Sequence, residues 1–206
     1  MAGWKRPMNV DRTSIQGVHL WRPEVHQDRR GEFWRSYCHE VLEVAGIDFI
    51  VQQSNLSVNL VSHTLRGFHF QRPPSREQKI LTVVTGSVYA VIVDLRPDSA
   101  TYLTWESFEI TVGDRTSLIV ASGCSTGYLT LASETIVHYQ MSDVFRPDCY
   151  GGFRFDDPLI GVEWPASPEV TSQRDLEFGP LNSEEFASVF SSGVVDESET
   201  QTASSQ

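Results

Sequence analysis

The sequence predicts an all-β sandwich or barrel. Short apolar or alternating runs recur about every ten residues, turns rich in Gly, Pro and Asp separate them, and no long helical pattern competes. A chain of 206 residues is long enough to bury one sizeable core. Residues 16–190 read as that domain and 1–15 as an N-terminal arm. Residues 191–206, built of Ser, Glu, Thr and Gln with few apolar side chains, read as a disordered tail.

Taken in order, 18–21 is a first short strand, broken by Pro23. The turn at Asp28-Arg-Arg-Gly31 feeds a strand over 32–37, and 39–45 is a short helix whose apolar Val41, Leu42 and Val44 are followed by Gly46. Over 49–59 polar and apolar residues alternate, so Gln53, Asn55 and Ser57 share one face, which needs partners if it points inward. In Thr64–Gln71 the period of two sets Leu65, Gly67, His69 and Gln71 on one face and Arg66, Phe68 and Phe70 on the other. The Val- and Ile-rich run over 79–95, interrupted by Thr85-Gly-Ser87, reads as two strands joined by a tight turn. Further strands fall at 103–111, 117–121, 128–131 and 135–141, with Gly123 and Gly127 bracketing a loop. From Pro147 the texture turns aromatic and irregular, as in a covering segment lying over one end or edge of the barrel, and 181–190 reads as a last short helix.

The net charge of −11 argues against a nucleic-acid-binding or acidic-membrane surface, both of which need clustered Lys and Arg. A small anion needs only a local basic pocket. Cys38, Cys124 and Cys149 are widely spaced and form no CxxC pair, which suggests free thiols in a reducing cytoplasm rather than a disulfide framework or a zinc site. No apolar run follows the N-terminus, so the expectation is a soluble cytoplasmic protein.

The inward candidates are unusually polar: Gln53, Asn55, Ser57, His69, Gln71, Lys79 and Tyr139 lie on predicted strands or at their ends. Metal binding is disfavoured, because a lone imidazole rarely holds a first-row metal. Proton transfer fits better: His69 as a base oriented by Asp175, with Tyr139 returning a proton from the opposite side. Periodicity alone favours the plainer reading, with His69 and Tyr139 as hydrogen-bonded core residues and Asp175 as a solvated loop acid. Arg30, Arg66, Lys79 and Arg174 would together suit a diphosphate, or each be ordinary surface charge.

Leu65-Arg-Gly-Phe-His-Phe-Gln71 resembles the dTDP-4-dehydrorhamnose 3,5-epimerase family of cupin-fold enzymes. The match continues in order through Asp28-Arg-Arg-Gly31 with Phe33, Gln53-Ser-Asn-Leu-Ser57, Gln78-Lys79, Val93-Asp-Leu-Arg96, and Asp157-Pro through Gly161-Val-Glu-Trp-Pro165. The resemblance implies a cupin-type jelly-roll homodimer with a few short helices, acting on a nucleotide-linked sugar without a metal or other cofactor. It implies that His69, paired with Asp175, takes a proton from a carbon beside a C4 ketone and that Tyr139 delivers one to the other face. Arg66 and Lys79 would steady the enolate or the substrate, and Arg30, Phe33, Gln53, Asn55 and Arg174 would bind the nucleotide diphosphate. Departures are Thr126, where the family has a second histidine, Phe145, where a tyrosine is common, and Arg35, where a glutamate is common. They point to an unusual deoxysugar or to inversion at one carbon. The alternatives are an isomerase or cyclase for a non-nucleotide ligand and a non-catalytic binding homologue.

Overall fold

A strand whose side chains alternate between apolar and polar buries its apolar face against a second sheet, and this chain folds on that rule. The computed structural model describes residues 9–182. In chain order the elements are β1 (Asn9–Arg12), β2 (His19–Arg22), β3 (Val25–Asp28), β4 (Gly31–Trp34), α1 (His39–Val44), β5 (Gln53–Asn59), β6 (Thr64–Gln71), β7 (Lys79–Thr85) and β8 (Ser87–Asp94). They continue with β9 (Trp105–Thr111), a 3-10 turn at Val112–Asp114, β10 (Ser117–Val120), β11 (Cys124–Thr130), β12 (Thr135–Met141), β13 (Tyr150–Gly152), β14 (Val170–Thr171) and α2 (Gln173–Glu177).

One sheet runs β1-β2-β10-β7-β12-β5 and the other β13-β6-β11-β8-β9, with β14 added in parallel to the start of β6. Both sheets are open, so the all-β class takes the form of a jelly-roll sandwich rather than a closed barrel. Between the sheets pack Leu81, Val83, Ala90, Ile92, Leu118 and Val137. Outside the second sheet Phe68, Phe70, Val91 and Val93 are covered by Phe153 and Ile160, the covering segment expected after Pro147. Outside the first, Leu42 of α1 with Ile47 and Phe49 covers Trp21, Ile80 and Ile119.

Three sequence expectations are corrected. The run over 79–95 is not a hairpin: β7 and β8 belong to different sheets, and the chain crosses between them at Gly86. Gly86 has φ +75°, and a Cβ there would lie 2.2 Å from the Thr135 hydroxyl, so the crossing admits only glycine. The loop expected between Gly123 and Gly127 is instead the first half of β11, whose second half is the strand expected at 128–131; β11 is buried throughout and paired with β6 on one side and β8 on the other. Gly127 serves packing there, since a Cβ would sit 3.0 Å from the Phe68 ring. The strand expected over 32–37 ends at Trp34 and forms, with β3, a separate two-stranded ribbon.

Of the expected 1–15 arm, residues 9–12 pair with β2, and Ile15 is buried in the core. The tail at 191–206, the first eight residues and all but the first two residues of the 181–190 helix lie outside the described residues.

Candidate active site

Where β5, β7 and β12 face β6 and β11, polar residues replace core aliphatics and a cavity of about 350 Å³ opens between the sheets. Gln53, Asn55, Arg66, His69, Lys79, Thr126, Tyr139 and Phe145 all line it.

Strict alternation on β6 would put Arg66 and His69 on opposite faces, and the structure corrects this. Thr126 of β11 stands opposite His69 while Tyr128 stands opposite Arg66, so β6 carries an extra residue across that interval. This bulge turns both side chains into the cavity. Gly67 makes it possible: its φ is +130°, and a Cβ would meet the Gly127 Cα at 2.5 Å.

The Nε2 of His69 lies 2.8 Å from Asp175 Oδ1. Asp175 is almost fully buried, at 3 % exposure, on the first turn of α2, whose cap is the Ser172 hydroxyl accepting from the Asp175 N–H at 3.0 Å. The Gly67 N–H donates to its other oxygen at 3.2 Å. Burial pushes the Asp175 carboxyl up, but the bond to His69, the charge of that imidazole, the Gly67 amide and Ser172 together outweigh it and hold the acid below its ordinary range. A carboxylate kept ionised fixes the imidazole and leaves Nδ1 as the nitrogen able to take a proton.

Lys79 meets three acceptors: Glu77 Oε2 at 3.2 Å, the His69 carbonyl at 3.3 Å and the Thr126 hydroxyl at 3.2 Å. Its charge is thus largely balanced by buried Glu77. Arg66 donates through Nε to Asn59 Oδ1 at 2.8 Å and has no carboxylate partner among the described residues, so it is the cavity's unbalanced cation. Thr126 occupies its position as a neutral acceptor for Lys79 and offers no titrating group near pH 7.

Tyr139 reaches the cavity from β12, on the sheet opposite His69, and among the described residues its hydroxyl has no hydrogen-bond partner. Tyr128 donates to Ser57 at 2.9 Å. Tyr150 packs on His69 with ring centroids 5.5 Å apart and carries the Arg174 guanidinium 4.0 Å over its ring. Burial pushes the Tyr150 phenol up to about 12 despite the pull of Arg174, keeping it a neutral donor.

Not every expected residue joins. Arg30 and Phe33 stand on the β3–β4 ribbon, outside the cavity, with Arg30 paired to Asp28 and Phe33 63 % exposed. The four cations therefore do not converge within one chain: Arg66 and Lys79 line the cavity, Arg174 sits behind Tyr150, and Arg30 is elsewhere. Gln53 accepts the Phe145 N–H, and Asn55 donates to Met141 Sδ at 3.3 Å. Sequence reasoning missed Glu77 and Tyr150, which only their burial against Lys79 and His69 reveals. Among the described residues no group of three or more His, Cys, Asp or Glu is placed to hold a metal ion.

A jelly-roll sandwich with a carboxylate-held imidazole and a facing phenol over one cavity is a cupin-type architecture equipped for acid–base chemistry. The chain belongs to the dTDP-4-dehydrorhamnose 3,5-epimerase family, whose model matches residues 12–183, and it is therefore an isomerase. The enzyme of that name from Methanothermobacter thermautotrophicus is 32% identical over 173 residues, 82% of this chain and 92% of the relative. The Bacillus anthracis dTDP-4-dehydrorhamnose 3,5-epimerase, crystallised with TDP and PPi, superposes with a TM-score of 0.81 at 32% identity, covering 84% of this chain and 99% of that one. A 3'-monoepimerase from Streptomyces bikiniensis in complex with dTDP-quinovose has a TM-score of 0.80 at 28% identity, covering 87% and 91%.

Proposed function

We propose that the chain epimerises a dTDP-linked 4-keto-6-deoxyhexose at C3, C5 or both. The observation that carries this reading is the placement of the His69–Asp175 pair and Tyr139 on opposite sheets across one cavity. At about 350 Å³ the cavity is near the small end of the roughly 300–1,000 Å³ usual for ligand sites, so it holds the hexose and leaves the nucleotide toward the mouth.

The ketone acidifies the hydrogens on its neighbouring carbons. His69 takes one of them through Nδ1, the imidazolium is stabilised by Asp175, and the C–H electrons pass to the C4 oxygen as an enolate. Arg66, the cation without a carboxylate, faces that oxygen, with Lys79 beside it. Tyr139 then gives its proton to the opposite face of the carbon, inverting it, and the phenolate and imidazolium return to their starting states by exchange with water. Thr126 and Phe145 shape the sugar site; Gln53, Asn55 and Arg174 lie toward the nucleotide end.

Arg30 and Phe33 would reach a nucleotide only from a second copy of the chain. A homodimer is supported by the exposed apolar row on the outer face of the first sheet, where Leu56 is 65% and Val58 54% exposed. A cytoplasmic setting agrees with three free thiols and with no helix among the described residues long and apolar enough to cross a membrane.

The test is the reaction in D2O with a dTDP-4-keto-6-deoxyhexose, followed by NMR. The reading expects deuterium at C3, C5 or both; no incorporation at either carbon would count decisively against it.

A further inference from the structure

The mechanism leaves two buried residues of the cavity wall, Glu77 and Gln71, without a task. Glu77, whose side chain is only 4 % exposed, divides its two oxygens: Oε2 accepts from the Lys79 ammonium at 3.2 Å and Oε1 from Gln71 Nε2 at 3.0 Å. Gln71 has its amide fully engaged. Its second N–H donates to the Val144 carbonyl at 3.2 Å, and its oxygen accepts the Arg146 backbone N–H at 2.6 Å. From the facing sheet, Gln53 Oε1 accepts the Phe145 N–H. Three backbone groups, one from each of residues 144–146, are thus gripped by one glutamine from each sheet. The residue between them is Phe145, which lines the cavity with its ring 5.4 Å from Tyr150.

We propose that Glu77 is a positioning residue that sets the Phe145 strap, through Gln71, relative to the Lys79 ammonium, so that the cation and the aromatic wall are presented to the substrate as one unit. The tie itself is independent of the functional reading, and its kinetic consequence rests on that reading. A carboxylate suits the role because it offers an acceptor to each neighbour at once. A carboxamide puts its acceptor oxygen at one of these two positions and an NH2 donor at the other, where it faces the Lys79 or the Gln71 donor. The strap has other attachments, Ser75 Oγ to Asp143 at 2.8 Å and the Gln78 N–H to Ser142 Oγ at 2.8 Å, so loss of Glu77 leaves it joined to the fold.

The test compares the full-length protein with Glu77→Gln, Gln71→Leu, the double variant and Glu77→Asp. In Glu77→Gln, amide hydrogen exchange at Arg146 should quicken about tenfold, the factor for one lost hydrogen bond, while β8 and β11 keep their protection. With the dTDP-4-keto sugar, kcat/KM should fall on the order of tenfold to a hundredfold, chiefly in kcat. The double variant should lose no more than the worse single one, and Glu77→Asp should recover part of the loss. Unchanged exchange at Arg146 in Glu77→Gln, or kinetic losses that multiply in the double variant, would overturn the proposal. Absence of turnover in the parent enzyme would sink the epimerase reading alone, and the exchange comparison would still decide the strap.

Discussion

At His69 one ring nitrogen is held by Asp175, and that occupant decides what the other can do. Because the Asp175 carboxyl is held below its ordinary range, its contribution to stability has a definite sign. A folded-state pKa below the unfolded one stabilises the fold above the unfolded value, about pH 4, and that increment is lost as the pH falls through the folded value. Asp175→Asn should therefore unfold at lower urea than the parent at pH 7, with the gap closing below about pH 4; a gap that does not change with pH would contradict the pairing. His69→Ala should lose about 10²–10⁴ in kcat/KM while dTDP still raises its melting temperature, which separates loss of the base from loss of the site. Much at this scale was legible beforehand: His69, Lys79 and Tyr139 were polar side chains on predicted strands, where a plain sandwich would place aliphatics. Asp175 could be named as a candidate to orient His69, and the family resemblance supported the pairing. Its own context suggested a solvated loop acid, and a helix of five residues gives no periodic signal. Glu77 lies in the charged stretch Arg76-Glu-Gln-Lys79 and Tyr150 in the irregular segment after Pro147, and nothing local records that they pack against Lys79 and His69.

Elements failed to be legible where a glycine does something other than make a turn. The period of two on β6 is right at both ends and wrong across Gly67, where the bulge rotates Arg66 to the side of His69. Gly67→Ala should cost about 1–3 kcal/mol, since the added carbon meets backbone at 2.5 Å, and should depress kcat by more than the stability loss explains because Arg66 and His69 fall out of register. Urea titration and steady-state kinetics on the same preparation check both halves; a variant as stable and active as the parent would remove the bulge from the account. Gly86 was read as a hairpin turn because a Gly between two Val- and Ile-rich runs is the hairpin signature. A crossover between sheets has the same local sequence, and only the pairing of β7 with β10 and β12 separates the two. The first half of the fully buried β11 lost its strand signal for a related reason, Gly127 being required by the close approach of Phe68 and Thr126 facing the cavity, while 128–131 was read as a strand.

For the whole molecule, the fold class followed from strand spacing alone, while the assembly did not. The outer face of the first sheet exposes Leu56 and Val58 of β5 and, across β12, Val84 of β7, with no covering element among the described residues, unlike the neighbouring region beneath α1. If that face joins two copies, Leu56→Glu should shift the sedimentation coefficient from dimer toward monomer, and an unchanged coefficient would place the contact elsewhere. In the proposed reaction the two sheets also set the stereochemistry, because they bring the imidazole and the phenol to opposite sides of one cavity. The sharpest measurement is the Tyr139→Phe variant in D2O with a dTDP-4-keto-6-deoxyhexose, following exchange and configuration at C3 and C5 in the same NMR spectra. The account expects deuterium to enter while inverted product is lost or slowed on the order of a hundredfold. Inversion at the parent rate without the phenol would contradict it.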